Sequence, residues 1–226
     1  MEINLKDELQ SFIDSDKAWR KKEMTLLKSF IFSSTGTQEH TYIRAGVALL
    51  YSHWEGHIKT ASLRYVEYLN RLELRLSQLS DNNVTSFIYD KFMSLNGSKV
   101  ISSYSGISDV VCNNLDNEVF NISPMKIIKT ESNLKLRQLD DILHVIGLDN
   151  SVFMANKAHI DETLLNYRNK ISHGERTEGL KSTTLSKVSY NALHDKIIEL
   201  IDHFDDLLIE HVLGEKYLKI PPKATS

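Results

Sequence analysis

Helix breakers are almost absent from this chain, and their scarcity constrains the fold more than any other feature of the sequence. Proline occurs only at Pro124, Pro221 and Pro222, so a long first section contains none of the residues that most often interrupt a helix. Over residues 38–77, side chains suited to burial recur at three- and four-residue steps: Tyr42, Ala45, Leu49, His53, Gly56 and Leu69. The pattern predicts either one central helix of a bundle or two helices joined by a kink near Gly56.

The same spacing recurs along most of the chain. It predicts further helices at residues 2–32, 133–146, 157–173 and 184–213, the last capped by Thr183 or Thr184. Residues 84–95 and 99–115 fit weaker helices inside a less regular insertion around residues 78–130. We therefore expect an all-α fold, a helical bundle with that insertion, formed by a single domain over residues 1–218 and followed by a flexible tail over 219–226.

The charge pattern argues against a general nucleic-acid binder. The formal net charge is −3, so any contact with RNA has to be local. We interpret the main charge clusters as solvated helix faces. They are a basic run on the first helix and an acidic run on the last: Lys17, Arg20, Lys21, Lys22 and Lys28, and Asp195, Glu199, Asp202, Asp205, Asp206, Glu210 and Glu215.

The sequence favours a cytoplasmic location. Cys112 is the only cysteine, so no internal disulfide can form. The first residues lack the basic-then-apolar layout of a signal peptide. No stretch of about 18 apolar residues occurs, so we expect no membrane span.

Two candidate sites are less convincing than their structural alternatives. His53 and His57 lie four residues apart, as in a zinc-protease helix, but Glu55 comes two residues after the first histidine and points away from both rings. A buried, hydrogen-bonded histidine pair is the favoured interpretation, and we expect neither a metal nor a cofactor. Cys112 has no basic neighbour to activate it as a nucleophile and is interpreted as a small buried hydrophobe.

Residues 167–174 carry the strongest chemical signal. Four residues separate the guanidinium of Arg168 from the imidazole of His173 at the end of a predicted helix. An imidazole can accept or donate a proton and a guanidinium can stabilise charge on phosphate oxygens, and these two functions suffice to cleave a phosphodiester without a metal ion. On an ideal helix the two side chains point about 140° apart, but Gly174 can end the helix there and re-aim His173. The alternative is a histidine that interacts with the carbonyl end of the helix dipole.

These residues carry a family resemblance. The stretch Arg-Asn-x-Ile-x-His-Gly over residues 168–174, in an all-helical chain, resembles the Arg-x(4–6)-His motif of the HEPN superfamily. Residues 42–59 resemble a second marker of its MAE-type stand-alone branch. The resemblance implies a HEPN-like helical bundle that dimerises with two Arg/His motifs facing one cleft. It also implies ribonuclease activity of the kind found in toxin–antitoxin or anti-phage defence systems.

The resemblance also implies roles for individual residues. Arg168 and His173 would be catalytic, and Asn169 fills the polar position that often follows the arginine. Glu55 and Arg44 would support them from the neighbouring helix. In one respect the chain departs from some relatives, because Glu175 stands where they carry a tyrosine that a partner nucleotidyltransferase modifies. That mode of control is not expected here.

Two functions remain open from the sequence. The first is a metal-independent endoribonuclease in which a ribose 2′-hydroxyl attacks the adjacent phosphate at an Arg-x4-His site shared across a homodimer. Its partners would be an RNA substrate, a second copy of the chain and an antitoxin or defence-system protein. The second is a non-catalytic helical module that binds a partner protein or a nucleotide.

Overall fold

A computed structural model describes residues 2–95, 97–175 and 185–219, and the regular elements in these ranges are helices. In chain order they are α1 (Glu2–Ser33), α2 (Gly36–Arg71), α3 (Asp81–Ser94), α4 (Ser105–Asn113), α5 (Pro124–Ile127), α6 (Leu136–Ile146), α7 (Ser151–Ala155), a π-helical segment (Ala158–Leu165) that runs directly into α8 (Asn166–Ser172), and α9 (Lys187–Leu213). The predicted all-α class is confirmed. None of the described helices is long and apolar enough to cross a membrane.

Helix α2 is the centre of the bundle. Helices α1, α9 and α8 pack against it, and α5 and α6 also contact it. Val47, Leu50, Trp54, Ile58 and Tyr65 are each at most 1% exposed. These five lie on one face of the helix, and other buried side chains of α2 extend the covered surface to either side of it, because neighbouring helices cover α2 on several sides. The helix runs without a break through Gly56, so the single-helix alternative is the one observed.

The predicted buried stripe on α2 was wrong in register. Only His53 and Leu69 are buried, whereas the other members are half-buried or exposed: Tyr42, Ala45, Leu49 and Gly56. The prediction assumed one buried face, but α2 is covered on several. The helix also ends at Arg71, short of residue 77. Two residues further on, Glu73 takes a left-handed φ of 50° and the chain leaves the helix axis.

The opposite charges of α1 and α9 pair with each other. Lys21 Nζ lies 2.6 Å from Asp202 Oδ1, Lys17 Nζ lies 3.0 Å from Asp205 Oδ2, and Lys28 Nζ lies 2.6 Å from Asp195 Oδ1. The interpretation of the two runs as solvated faces was therefore wrong for Asp205, which is buried, whereas Asp195 and Asp202 pair across the helices but stay 55% and 40% exposed. Sequence alone did not show that the helices are neighbours, and their pairing makes this part of the basic run an internal contact.

The insertion is as irregular as predicted but is pinned to the bundle. The predicted helix at 99–115 divides into a 3₁₀ turn (Ile101–Tyr104) and the short α4. After α4 the chain returns to α2, where the Asn70 side chain donates to Ile122 O (2.9 Å) and accepts from Ile122 N (3.1 Å). Phe120 and Ile122 join the core beside this contact. The insertion is thus held by its second half.

The last helix begins later than predicted. Ser186 is its N-cap, and the side chains of Ser186 and Ser189 each bond the other's backbone N–H. This reciprocal arrangement satisfies donors that the first turn leaves open. The predicted caps Thr183 and Thr184 lie outside the described residues, as does the predicted tail beyond Lys219.

Candidate active site

Arg168 of α8 is half-buried between α8, α2 and the segment 130–135. Its Nη1 donates to Asn133 Oδ1 (2.7 Å) and Asn169 Oδ1 (3.0 Å), and its Nη2 donates to Ser132 O (3.1 Å). The guanidinium carbon lies 4.6 Å from the centroid of the Tyr51 ring, within the range of a cation–π contact. All three acceptors are neutral oxygens. They fix the guanidinium in place without cancelling its charge.

The segment that supplies two of these acceptors has an unusual backbone. Glu131 and Ser132 have φ values of 51° and 60°, in a left-handed region that costs roughly 1–2 kcal/mol for each non-glycine residue. Asn133 follows in a tight turn, where its N–H donates to Thr130 O (3.0 Å) and its carbonyl accepts from Lys135 N (2.7 Å). Such strain persists only where contacts in the folded protein hold the backbone in this conformation, and it is often found at functional sites.

Tyr51 and Glu55 connect α2 to the same place. The Tyr51 side chain is buried, and its hydroxyl accepts a hydrogen bond from Leu134 N (2.7 Å). Burial, followed by the adjacent Glu55 carboxylate, raises the pKa of Tyr51. The phenol therefore stays protonated beside Glu55. Glu55, predicted as a support, lies beside Tyr51, whose ring lies against the Arg168 guanidinium.

His173 sits at the end of α8, where the chain turns away from the helix. Gly174 has a φ of 72°. Gly174 N donates to Ile171 O (3.1 Å) and Glu175 N donates to Lys170 O (2.9 Å). This is the Schellman pattern of a helix closed by a left-handed glycine, as the sequence predicted. It leaves the His173 side chain exposed to solvent.

Arg44 ties α2 to this turn. Its Nη1 donates to Glu175 O (2.6 Å), two residues beyond His173. Of the two residues proposed as supports from the neighbouring helix, Arg44 therefore contacts the chain just beyond the motif, and Glu55 lies beside Tyr51. Within the described residues no hydrogen bond joins Arg168 to His173.

Sequence reasoning missed Tyr51, Ser132 and Asn133. Tyr51 had a usable signal, because it precedes Glu55 by four residues and so shares its helix face. Ser132 and Asn133 had none. Asn133 meets Arg168 across a separation of 35 residues, and only tertiary packing brings the two together.

The histidine pair of α2 belongs to a buried charge network. His57 is fully buried, with Nδ1 2.8 Å from Asp16 Oδ2 and Nε2 2.7 Å from Asp205 Oδ1. Burial alone would lower the pKa of His57, but the hydrogen bonds with Asp16 and Asp205 outweigh it and raise the pKa. An ionised carboxylate only accepts, so both ring nitrogens donate and the ring is an imidazolium. It joins α1, α2 and α9.

Arg20 completes this network. Its Nε donates to Asp16 Oδ2 (2.7 Å), and its Nη1 lies 3.5 Å from His53 Nδ1. Gly56 makes room for the guanidinium, because a Cβ there would lie 2.7 Å from Arg20 Nη1. Burial and the nearby Arg20 lower the pKa of His53. Both histidines are buried and partnered by protein groups, which agrees with the interpretation favoured from the sequence.

Within the described ranges no group of three or more histidine, cysteine, aspartate or glutamate side chains is arranged to hold a metal ion. Cys112 is exposed, so its interpretation as a buried hydrophobe was wrong. The prediction assumed that the helix around it packs into the core, but α4 contributes no buried residue.

A bundle of helices around a buried central helix, with Arg-x4-His closing a neighbouring helix, defines this protein as a member of the HEPN class. More narrowly, the chain belongs to the RiboL-PSP-HEPN family, whose model matches residues 15–210. The HEPN resemblance found in the sequence is confirmed. No curated protein and no solved structure is significantly similar to the chain.

Proposed function

We propose that this protein is a metal-independent endoribonuclease whose catalytic residues are Arg168 and His173, with Asn169 beside them. Membership of the RiboL-PSP-HEPN family supports a ribonuclease role. The observation that carries the proposal is the environment of Arg168. Its side chain is held by the neutral oxygens of Ser132, Asn133 and Asn169, so a full positive charge is kept in a fixed position for an anionic ligand.

The chemistry follows from the two side chains. A ribose 2′-oxygen attacks the adjacent phosphorus while a histidine accepts its proton, and the bond to the 5′-oxygen breaks as a second group returns a proton to it. The products are a 2′,3′-cyclic phosphate and a 5′-hydroxyl. Arg168 stabilises the charge that builds on the non-bridging oxygens. His173 is exposed and so is open to the substrate.

A homodimer is the proposed working form. The reaction requires both a base and an acid, and the motif of one chain contains one histidine. A twofold dimer brings a second His173 to the same cleft. The interface is proposed to involve the bundle face near residues 160–175. The biological setting is proposed to be a toxin–antitoxin or anti-phage defence system, with an antitoxin or defence protein as partner.

Cleavage in the presence of a chelator tests this proposal. Purified protein is incubated with single-stranded RNA in excess EDTA, and the ends of the products are analysed. We expect undiminished cleavage that leaves cyclic phosphate and 5′-hydroxyl ends. Activity that returns only with Zn²⁺ or Mg²⁺, or products with 5′-phosphate ends, would contradict the proposed chemistry.

A non-catalytic binding module is the second candidate, and one observation favours it. Trp19, Leu26 and Phe30 lie along one face of α1 and are 46%, 55% and 50% exposed. Exposed apolar side chains aligned on a helix are typical of surfaces that bind other proteins. If this were the whole function, the wild-type protein would fail to cleave RNA although correctly folded.

A further inference from the structure

The segment 130–135 supplies hydrogen-bond acceptors to one side of the Arg168 guanidinium. A guanidinium has five N–H donors. Asn133 Oδ1 and Asn169 Oδ1 take both donors of Nη1, at 2.7 and 3.0 Å, and Ser132 O takes one donor of Nη2, at 3.1 Å. In the part of the chain that the structure describes, Nε–H and the second Nη2–H have no protein acceptor. Nε and Nη2 lie along one edge of the guanidinium, and this edge is the fork that can bind two phosphate oxygens.

Asn133 is fixed independently of Arg168. Its N–H donates to Thr130 O (3.0 Å) and its carbonyl accepts from Lys135 N (2.7 Å). The next residue, Leu134, is fully buried and donates its N–H to the Tyr51 hydroxyl (2.7 Å). The left-handed backbone at Ser132 turns its carbonyl and the Asn133 side chain toward the same guanidinium. The acceptors are therefore in place before any ligand binds.

The chemical type of the acceptor at residue 133 is informative. An arginine that only stabilises a fold is well served by a carboxylate, because a charge-assisted pair is stronger than a neutral hydrogen bond. Here an amide oxygen occupies the position of the shortest contact, 2.7 Å from Nη1. An amide oxygen orients the guanidinium equally well but leaves its positive charge available to a phosphate.

We infer that Asn133 is a positioning residue for the proposed reaction: its neutral side-chain oxygen aims the free edge of Arg168 at the scissile phosphate. The inference rests on the proposed function, since it assigns a task to a residue that has no contact with substrate. It also accounts for the strained turn at residues 131 and 132. That turn places an acceptor which no local element of secondary structure supplies.

The key variant is Asn133→Asp. It keeps an oxygen in the same place and adds a negative charge, so the fold should be at least as stable as that of the wild type. We expect kcat for RNA cleavage to fall about 10–100-fold, the scale expected when a catalytic group is compromised, with no decrease in Tm. Asn117→Asp adds the same charge at an exposed position in the insertion and should leave kcat unchanged. If Asn133 had only a structural role, Asn133→Asp would lower Tm, and any fall in kcat would accompany that loss of stability.

A second readout does not depend on activity. In protein labelled with ¹⁵N-arginine, rotation about the Nε–Cζ bond of Arg168 should be slow in the wild type and fast in Asn133→Ala. If Arg168→Ala is inactive while Asn133→Asp retains wild-type kcat, the positioning role is wrong and the proposed function stands. If the wild type itself does not cleave RNA, the proposed function fails. In that case the rotation measurement tests only whether Asn133 holds the Arg168 side chain. Unchanged rotation in Asn133→Ala would show that it does not.

Discussion

At the scale of single residues, the shape of the Arg168 side chain matters as much as its charge. Arg168→Lys keeps one positive charge but loses the planar fork and the contacts with Ser132, Asn133 and Asn169. We expect kcat to fall on the order of 10²–10³-fold, as when an oxyanion donor is removed. Arg64→Lys is a matched control, because Arg64 pairs with Glu67 on the surface of α2. Near-normal activity in Arg168→Lys would show that the fork is not used.

His57 makes stability depend on pH in a definite direction. Its pKa in the folded protein is raised above the ordinary value of 6.5. Its contribution to the free energy of unfolding is therefore complete below about pH 6.5 and lost as the pH rises through the raised pKa. His57→Asn should lose this decline and cost about 1–3 kcal/mol at pH 6, because it removes two hydrogen bonds to carboxylates that keep Arg20 and Lys17 as their remaining cations. Urea unfolding at pH 6 and 9 measures both effects.

The control for this experiment is His144→Asn, which replaces an exposed histidine. It should unfold with the wild-type dependence on pH. If His57→Asn becomes less stable between pH 6 and 9 by as much as the wild type does, another group is responsible for the decline.

At the scale of elements, the closing turn of α8 positions His173. Gly174→Ala places a Cβ in open space, so its only cost is the left-handed φ of 72°, about 1 kcal/mol. We expect a small change in Tm but a clear loss of cleavage rate, because relaxation of the turn moves His173. Gly97→Ala imposes the same strain at a φ of 66°, also in open space and in the distant insertion. Equal rates in the two variants would argue against a role for the turn.

The helices were predictable where local signals define them. The spacing of apolar residues located α1, the body of α2 and α9, and Gly174 located the end of α8. The same spacing misjudged which side chains of α2 are buried, because burial depends on how many neighbours surround a helix. It also missed α7 and the π-helical winding before α8, since a short helix and an extra residue per turn leave little trace in a sequence.

The candidate site divides in the same way. Arg168, Asn169 and His173 lie close together in the sequence, where they form a recognisable motif, and the family resemblance pointed to Glu55 and Arg44 on one helix. Asn133 meets Arg168 only in the fold. The pairing of α1 with α9 was likewise invisible, because either helix alone resembles a solvated charged surface.

At the scale of the whole molecule, the proposed reaction requires two chains. We expect sedimentation at micromolar concentration to show a homodimer. In a heterodimer of wild-type and His173→Ala chains one of two proton transfers is missing. General acid–base catalysis contributes about 10²–10⁴-fold per group, so this heterodimer should be nearly as inactive as the double mutant. Half of wild-type activity would mean that each chain works alone.

The most direct test of the central claim is the initial rate of RNA cleavage by His173→Ala and Arg168→Ala, measured beside their thermal unfolding. His173 is exposed and Arg168 is bound by neutral acceptors, so both variants should fold. The account predicts that each retains a cooperative unfolding transition close to that of the wild type while its cleavage rate falls at least about 10²-fold. Folded variants that cleave RNA at the wild-type rate would contradict it.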